Sequence, residues 1–318
     1  MIVKPIIYYL GYCDNNPTTQ GYTQTFNRFY KSDDNFGGKN IKDITFEQLS
    51  EFLEDQVPKH NLTAKAFLGL KTITRGIFKT AKKNQLIYFS VEEVFDEMEL
   101  SENSFKQVIK EDYEEVFDES ETLIITEYLE SHIDEKNICL LLMFVTGLRI
   151  GEIVSLKHDD ICGNTINIRR TETRYKDDAG TYVYKIKEFP KSKAGVRTVV
   201  VADDYLWLIN KINKLNPFVE FVFMNDNDRM HAYSIRNRLN RLCDKLNIYH
   251  KSPHKIRKTY GTILLDNHVD KKLVIDQMGH ADIAVSERHY HRNRKTVSQK
   301  AQIISAIPDF KRATTHAI

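Results

Sequence analysis

The sequence predicts a mainly helical α+β fold in two domains, residues 1–112 and 113–318, with a small antiparallel sheet in the second. Helical apolar spacing dominates both ends of the chain. Between them, residues 101–120 (SENSFKQVIKEDYEEVFDES) are polar and weakly patterned, as a linker between domains would be. Strand-like runs at Thr165–Arg170, Tyr182–Phe189 and Arg197–Val201 lie among later helices, with turn residues Asp177-Asp178-Ala179-Gly180 between the first two. A chain of 318 residues is long enough for a core in each domain.

Residues 1–16 read as a strand or as the remnant of something longer. Thr18–Tyr30 has helical spacing. Thr45 and Gln48 form a capping-box pattern ahead of a helix whose apolar face is Phe46, Leu49, Phe52 and Leu53. The helix from about Leu62 to Lys83 carries a core face of Phe67, Leu70, Ile77, Phe78 and Ala81. On it, Lys71, Arg75, Lys79 and Lys83 recur every four residues, and no acid occurs between Lys65 and Lys83. A solvated face normally alternates acids with bases, so an unpaired basic stripe calls for something anionic against it. Beyond the linker, Leu123–Glu130 is amphipathic and Ile138–Val145 is nearly all apolar, the pattern of a buried helix. Helices resume after the strands.

Hydrophobic content of 41% and charged content of 28% are those of an ordinary soluble protein. The apolar start, Ile2–Leu10, is broken by Lys4 and Pro5 and precedes no small-residue cleavage site, so neither a secretory leader nor a membrane span is expected. The four cysteines, Cys13, Cys139, Cys162 and Cys243, are widely separated, which argues against a zinc site or a disulfide framework and fits a reducing cytosol. Net charge is only +2, but residues 185–258 hold 16 Lys or Arg against 7 Asp or Glu, and a polyanion meets the local field.

Four clusters carry chemistry. In Thr146-Gly147-Leu148-Arg149-Ile150-Gly151-Glu152-Ile153, Gly147 ends the buried helix. Arg149 then opens the next, where a cation opposes the helix dipole unless an anion is bound, and Glu152 shares its face. Lys191-Ser192-Lys193-Ala194-Gly195-Val196-Arg197 reads as a hairpin turn with Gly195 at the special backbone position and a lysine able to reach into a site. Ser252-Pro253 is a natural helix start for His254 and Arg257, three residues apart on one face. Gly279 closes a helix over 271–278 before His280, and Tyr290 follows among bases.

The order Arg…Lys…His-x-x-Arg…Gly-His…Tyr, carried by TGLRIGEI, SKAGVR, PHKIR, MGHADI and HYHRNR, resembles the tyrosine recombinase or phage integrase family, in the style of mobile-element integrases of Gram-positive bacteria. The resemblance is strong over residues 120–295 and looser over Ile44–Lys83, which is similar to the family's helical core-binding domain. It implies a helical DNA-binding domain followed by a mixed catalytic domain with a C-terminal tail. It also implies Arg149 and Arg257 as phosphate-clamping arginines, Glu152 as the support of the first, and His254 as the histidine of the HxxR motif. Lys193 is the implied hairpin lysine, with Lys191 as rival, His280 the histidine before the nucleophile, and Tyr290 the nucleophile. One departure is that Tyr290 lies ten residues after His280, one more than usual, and His289 stands in the usual place. The other tyrosine after Arg257, Tyr260, reads as a core residue.

Such a set permits phenolate attack on a backbone phosphate. Tyrosine titrates near pH 10, so only about one part in a thousand is ionised at neutral pH, and arginines and an adjacent base must help. The resemblance implies a 3′-phosphotyrosine, a free 5′-hydroxyl, and no metal or other cofactor. The implied partner is double-stranded recombination sites, bound by a homotetramer in the synaptic complex, from chains that are monomeric in solution, with room for accessory DNA-bending proteins and no membrane. The setting is the bacterial cytoplasm at the nucleoid. The tail's apolar patch, Ile303, Ile304, Ala306 and Ile307, would dock on a neighbouring subunit. The short stretch before the first helix is too small for an arm-binding domain, so simple sites or a shortened relative are expected. Two rivals are a DNA-binding regulator without catalysis and a type IB topoisomerase-like enzyme that relaxes supercoils.

Overall fold

In the computed structural model, which describes residues 17–177, 179–188, 195–226, 228–279 and 292–307, the chain divides into two units. One comprises Met1–Ile109 with Arg174–Val183, the other Lys110–Thr173 with Tyr184–Ile318. None of the described helices is long and apolar enough to cross a membrane.

The first unit is helical: α1 (Pro17–Phe26) runs into a π turn at Asn27–Lys31, followed by α2 (Asp34–Gly37), α3 (Phe46–Lys59), α4 (Ala64–Lys83) and α5 (Val91–Glu97). Thr45 starts α3 by accepting from the Gln48 N–H at 3.3 Å, but only this half of the expected capping box forms among the described residues. Leu49, Phe52 and Leu53 of α3 meet Leu70, Ile73, Ile77 and Phe78 of α4 in one core, each such burial contributing roughly 1.5–3 kcal/mol. Phe46 is half-buried at its margin. The basic stripe of α4 is not unpaired as expected. Glu92 of α5 accepts from Arg75 at 2.8 Å and lies 2.9 Å from Lys79 Nζ, while Lys71 Nζ stands 4.4 Å over the Phe95 ring. The Arg75 and Lys79 hydrogen bonds, in that order, hold the Glu92 carboxyl down to about 2. The acids missing from α4 come from the next helix.

The second unit contains α6 (Asp112–Glu115), α7 (Glu119–Ser131), α8 (Glu135–Thr146) and α9 (Ile150–Ile153) before its strands. These are β1 (Ile161–Cys162), β2 (Thr165–Ile168), β3 (Thr171–Lys176), β4 (Tyr182–Lys187) and β5 (Arg197–Val200), followed by α10 (Leu206–Ile212), with Arg174–Lys176 of β3 and Tyr182–Val183 of β4 counted in the first unit. A small ladder of β6 (Met224–Asn225) with β7 (Asp228–Arg229) then leads to α11 (Ala232–Leu246), α12 (Pro253–Asp266), α13 (Lys271–Met278) and α14 (Val297–Ala306). α8 is buried throughout Asn137–Phe144 and packs against α7, α11 and α12, as its apolar run predicts.

The sheet differs from expectation in two ways. The strand expected over Thr165–Arg170 ends two residues early, at Ile168, and after Arg169-Arg170 a strand the sequence reading did not foresee, β3, begins at Thr171. Buried Asp160 draws both arginines, Arg170 at 2.6 Å and Arg169 at 3.7 Å. β3 then pairs with β4 through the turn containing Gly180, while β2 lies between β1 and β5 in a separate sheet. Among the described strands, β4 and β5 lie in different sheets; of the stretch expected to form a hairpin turn, Lys191–Ala194 lie outside the described residues. In the β2–β5 register, Ile166 faces Val199 and Ile168 faces Arg197. Side chains alternate along a strand, so Arg197 shares its face with buried Val199 while Thr198 and Val200 are exposed.

The stretch read as linker is short. Residues 111–120 are built into the second unit, with Phe117 in its core and Asp118 capping α7. Glu115, 3% exposed, takes ion pairs from Lys255 and Lys258 of α12. Burial, the largest influence on its carboxyl, pushes the pKa up, but the hydrogen bonds from Lys255 and Lys258 outweigh it and hold the group at about 2. Replacing Glu115 by Ala leaves buried Lys258 and half-buried Lys255 without their shared counter-charge and is expected to lower stability by about 1–3 kcal/mol at neutral pH in a urea titration. A depressed carboxylate pKa stabilises above its unfolded value, so the gap between the proteins should narrow as pH falls from 4.5 toward 2. A gap independent of pH would contradict this.

Candidate active site

The site begins where α8 ends. Gly147 caps the helix with φ +65°, and a Cβ there would lie 2.3 Å from the Tyr260 ring, so both conformation and packing require glycine. This turn delivers Arg149 to the N-cap position of α9. Gly151 lets α9 approach β3, since a Cβ there would sit 2.7 Å from Thr171 Oγ1.

Glu152, 2% exposed, is the hub. Its Oε1 accepts from Arg149 Nη1 at 2.8 Å and Arg197 Nη1 at 3.0 Å; its Oε2 accepts from the Arg149 backbone N–H at 2.9 Å and Arg197 Nη2 at 2.9 Å. A carboxylate has about four lone-pair sites, and here all are occupied. Burial is the largest influence and raises the Glu152 pKa, but the Arg197 hydrogen bonds and the charges of Arg197, Arg149 and Arg257 hold it at about 2. The Arg149–Glu152 pair is thus not a surface pair: the acid is interior, and only the arginine, its side chain 40% exposed, reaches solvent.

α12 contributes from the other side. Pro253 is its first residue, as expected, but the Ser252 side chain makes no capping bond. Arg257, 1% exposed, donates through Nη1 to Gly147 O at 2.8 Å and through Nη2 to Met278 O, tying the ends of α8 and α13 together. Among the described residues, the Arg149 guanidinium meets only Glu152, through Nη1, while both Nη atoms of Arg257 are engaged with backbone. Desolvation first, then the charges of Arg257, Lys258, Lys255 and Arg149, push the His254 imidazole down to about 4. At neutral pH it is a neutral base with acceptor capacity. An NMR titration of the free protein is expected to give His254 a midpoint near 4, and its cost to stability appears as pH falls from the ordinary value of about 6.5 toward that point. A midpoint near 6.5 would contradict the crowding of cations around it.

Arg149, Glu152, His254 and Arg257 are therefore brought to one region, at the α8–α9 turn, the start of α12 and the end of α13. Gly279 closes α13 at φ +59°, as its position predicts. Lys191, Lys193, His280, His289 and Tyr290 lie outside the described residues. Arg294 is buried, its Nε donates to Phe117 O at 3.2 Å and its Nη2 to Thr122 Oγ1 at 3.1 Å, while Arg292 meets Asp112 at 3.5 Å. Tyr260 packs on Gly147, and burial, the largest influence, raises its phenol pKa, which fits the core role expected of it. Lys71, Arg75, Lys79 and Lys83 belong to the first unit. Sequence reasoning missed Arg197, Glu115 and Arg294; for Arg197 the signal was the alternation Arg-Thr-Val-Val-Val, which turns the arginine inward. Among the described residues, no group of three or more His, Cys, Asp or Glu is arranged to hold a metal ion.

The phage integrase family model matches residues 106–296, so the chain belongs to the phage integrase family. A tyrosine recombinase XerC-like protein of Caldanaerobacter subterraneus subsp. tengcongensis is 25% identical over 201 residues, 55% of this chain and 50% of that protein. The transposase from transposon Tn916 of Enterococcus faecalis is 28% identical over 169 residues, 48% of this chain and 40% of that one. The chain spans about half the length of the curated relatives it matches. Its fold is that of the Tn1549 transposon integrase solved in complex with transposon right end DNA, at TM-score 0.72 and 18% identity over 96% of this chain and 98% of that one. A lambda integrase dimer bound to a COC′ core site shares it at TM-score 0.60 and 13% identity, over 92% and 78% of the two chains.

Proposed function

We propose that this chain is a site-specific DNA recombinase of mobile-element type, which breaks and rejoins strands through a covalent 3′-phosphotyrosine at Tyr290. The observation that carries the reading is an open arginine, Arg149, fixed by a buried and saturated carboxylate beside a neutral histidine and a second arginine. That arrangement suits a phosphate gaining charge in a transition state and a proton needing an acceptor. Arg149 presents donors to the non-bridging oxygens, Arg257 holds the phosphate pocket's walls and completes the clamp, and His254 accepts the phenol proton. Lys193, with Lys191 as its rival, protonates the leaving 5′ oxygen, and His280 supports the phosphate. The ester conserves the energy of the broken bond, so rejoining needs no nucleotide hydrolysis.

The partner in this reading is duplex DNA at recombination sites, the kind of ligand named for the related integrase complexes. Residues 113–318 form the catalytic domain. Residues 1–112 grip the duplex, with Lys71, Arg75, Lys79 and Lys83 as backbone contacts, Arg75 and Lys79 sharing Glu92 in the free protein. Four copies meet in the synapse, in the bacterial cytoplasm at the nucleoid. The α14 helix, capped by Thr296 and exposing Ile303 and Ile304, docks on a neighbour. Deleting 296–318 should weaken assembly on paired sites in a gel-shift series while leaving half-site binding unchanged; intact synapsis would refute the docking.

The reading is tested with a nicked suicide substrate, from which the cleaved strand's short fragment diffuses away. A covalent protein–DNA adduct is the expected result. Binding without an adduct would favour a regulator, and relaxation of plasmids lacking any specific site would favour a topoisomerase.

A further inference from the structure

We propose that Arg197 is a positioning residue that aligns two parts of the active site at once. The inference rests on the recombinase reading and deepens it. Arg197 leaves β5 on the inner face, with its side chain 5% exposed. Its Nη1 and Nη2 bind the two oxygens of Glu152, its Nε donates to Gln277 O at 2.9 Å, and Nη1 also reaches Gly195 O at 3.3 Å. Gln277 returns the contact, its Oε1 accepting from the Val200 N–H at 3.3 Å.

Two of these contacts lead to different functional elements. Glu152 holds the guanidinium of Arg149 and its backbone N–H. Gln277 lies at the end of α13, next to Met278, whose carbonyl anchors Arg257. A lysine could neutralise Glu152 but could not do the rest, because an ammonium is a point charge and only a planar fork meets a carboxylate edge-on while its Nε serves a third acceptor. If Glu152 could pivot, Arg149 would swing with it, and its donors would miss the phosphate oxygens.

The test is a double-mutant cycle on covalent adduct formation under single-turnover conditions with the suicide substrate. Arg197→Lys, which keeps the charge, is expected to slow adduct formation roughly tenfold to a hundredfold, the scale of a misplacement of about 1 Å, with half-site affinity unchanged. In an Arg149→Lys background the same change should slow the reaction less than about threefold, because the group it positions has already lost its fork. Equal losses in both backgrounds, or no loss in the first, would overturn the proposal. A wild type that binds DNA but forms no adduct would instead sink the recombinase reading. Should Arg197→Lys not fold, the paired change Glu152→Gln with Arg197→Gln, which removes both buried charges together, carries the same cycle and the same outcomes.

Discussion

Tyr290→Phe is expected to abolish the covalent protein–DNA adduct and to leave half-site affinity unchanged. The substitution removes one hydroxyl and keeps the ring. In the proposed mechanism that oxygen is the atom that bonds to phosphorus, and no other group replaces it. A loss of at least roughly 10⁴-fold is expected, in line with removal of a nucleophile elsewhere. Gel-shift titration and denaturing electrophoresis of the same samples separate the two effects. An adduct that persists would move the nucleophile to another residue.

Arg149→Ala is the second large effect. Its guanidinium reaches solvent while its support is interior, so truncation takes away a preorganised donor without opening the core. Losing one such donor costs about 3–4 kcal/mol, or roughly 10²–10³ in the rate of adduct formation. Glu152 keeps both hydrogen bonds to Arg197 after the change, so no buried charge is stranded and the melting temperature should barely move. Glu152→Ala would behave differently, leaving Arg197 buried opposite Arg149 with no counter-charge, and its loss of rate would come with loss of stability. A loss below about tenfold for Arg149→Ala, at unchanged stability, would mean that phosphate charge is met elsewhere.

Much of this organisation is legible in the chain. Gly147 and Gly279 end α8 and α13 because few other residues take the left-handed conformation there, and that preference is local. The buried character of α8 follows from its uninterrupted apolar run. What sequence reading misses depends on distant partners. Residues 111–117 look like linker because acids are normally solvated, yet Glu115 is neutralised by lysines some 140 positions away. The α4 stripe looks unpaired because its acid sits on α5. The break between β2 and β3 follows from Asp160 drawing in Arg169 and Arg170, which strand propensity does not anticipate. Arg197 could be placed on an inward face by alternation, but its role depends on Glu152, 45 positions earlier in the chain. The candidate arginines and the HxxR histidine were named from their motifs; how they are held was not.

In the proposed reaction a phenol of this chain becomes joined to DNA at a phosphate. The most direct measurement is mass spectrometry of the peptide that carries the nucleotide after the suicide-substrate adduct is digested with protease and nuclease. The expected product is a nucleotide linked through its 3′-phosphate to Tyr290. A modified residue other than Tyr290, or a 5′-phosphate linkage, would contradict it.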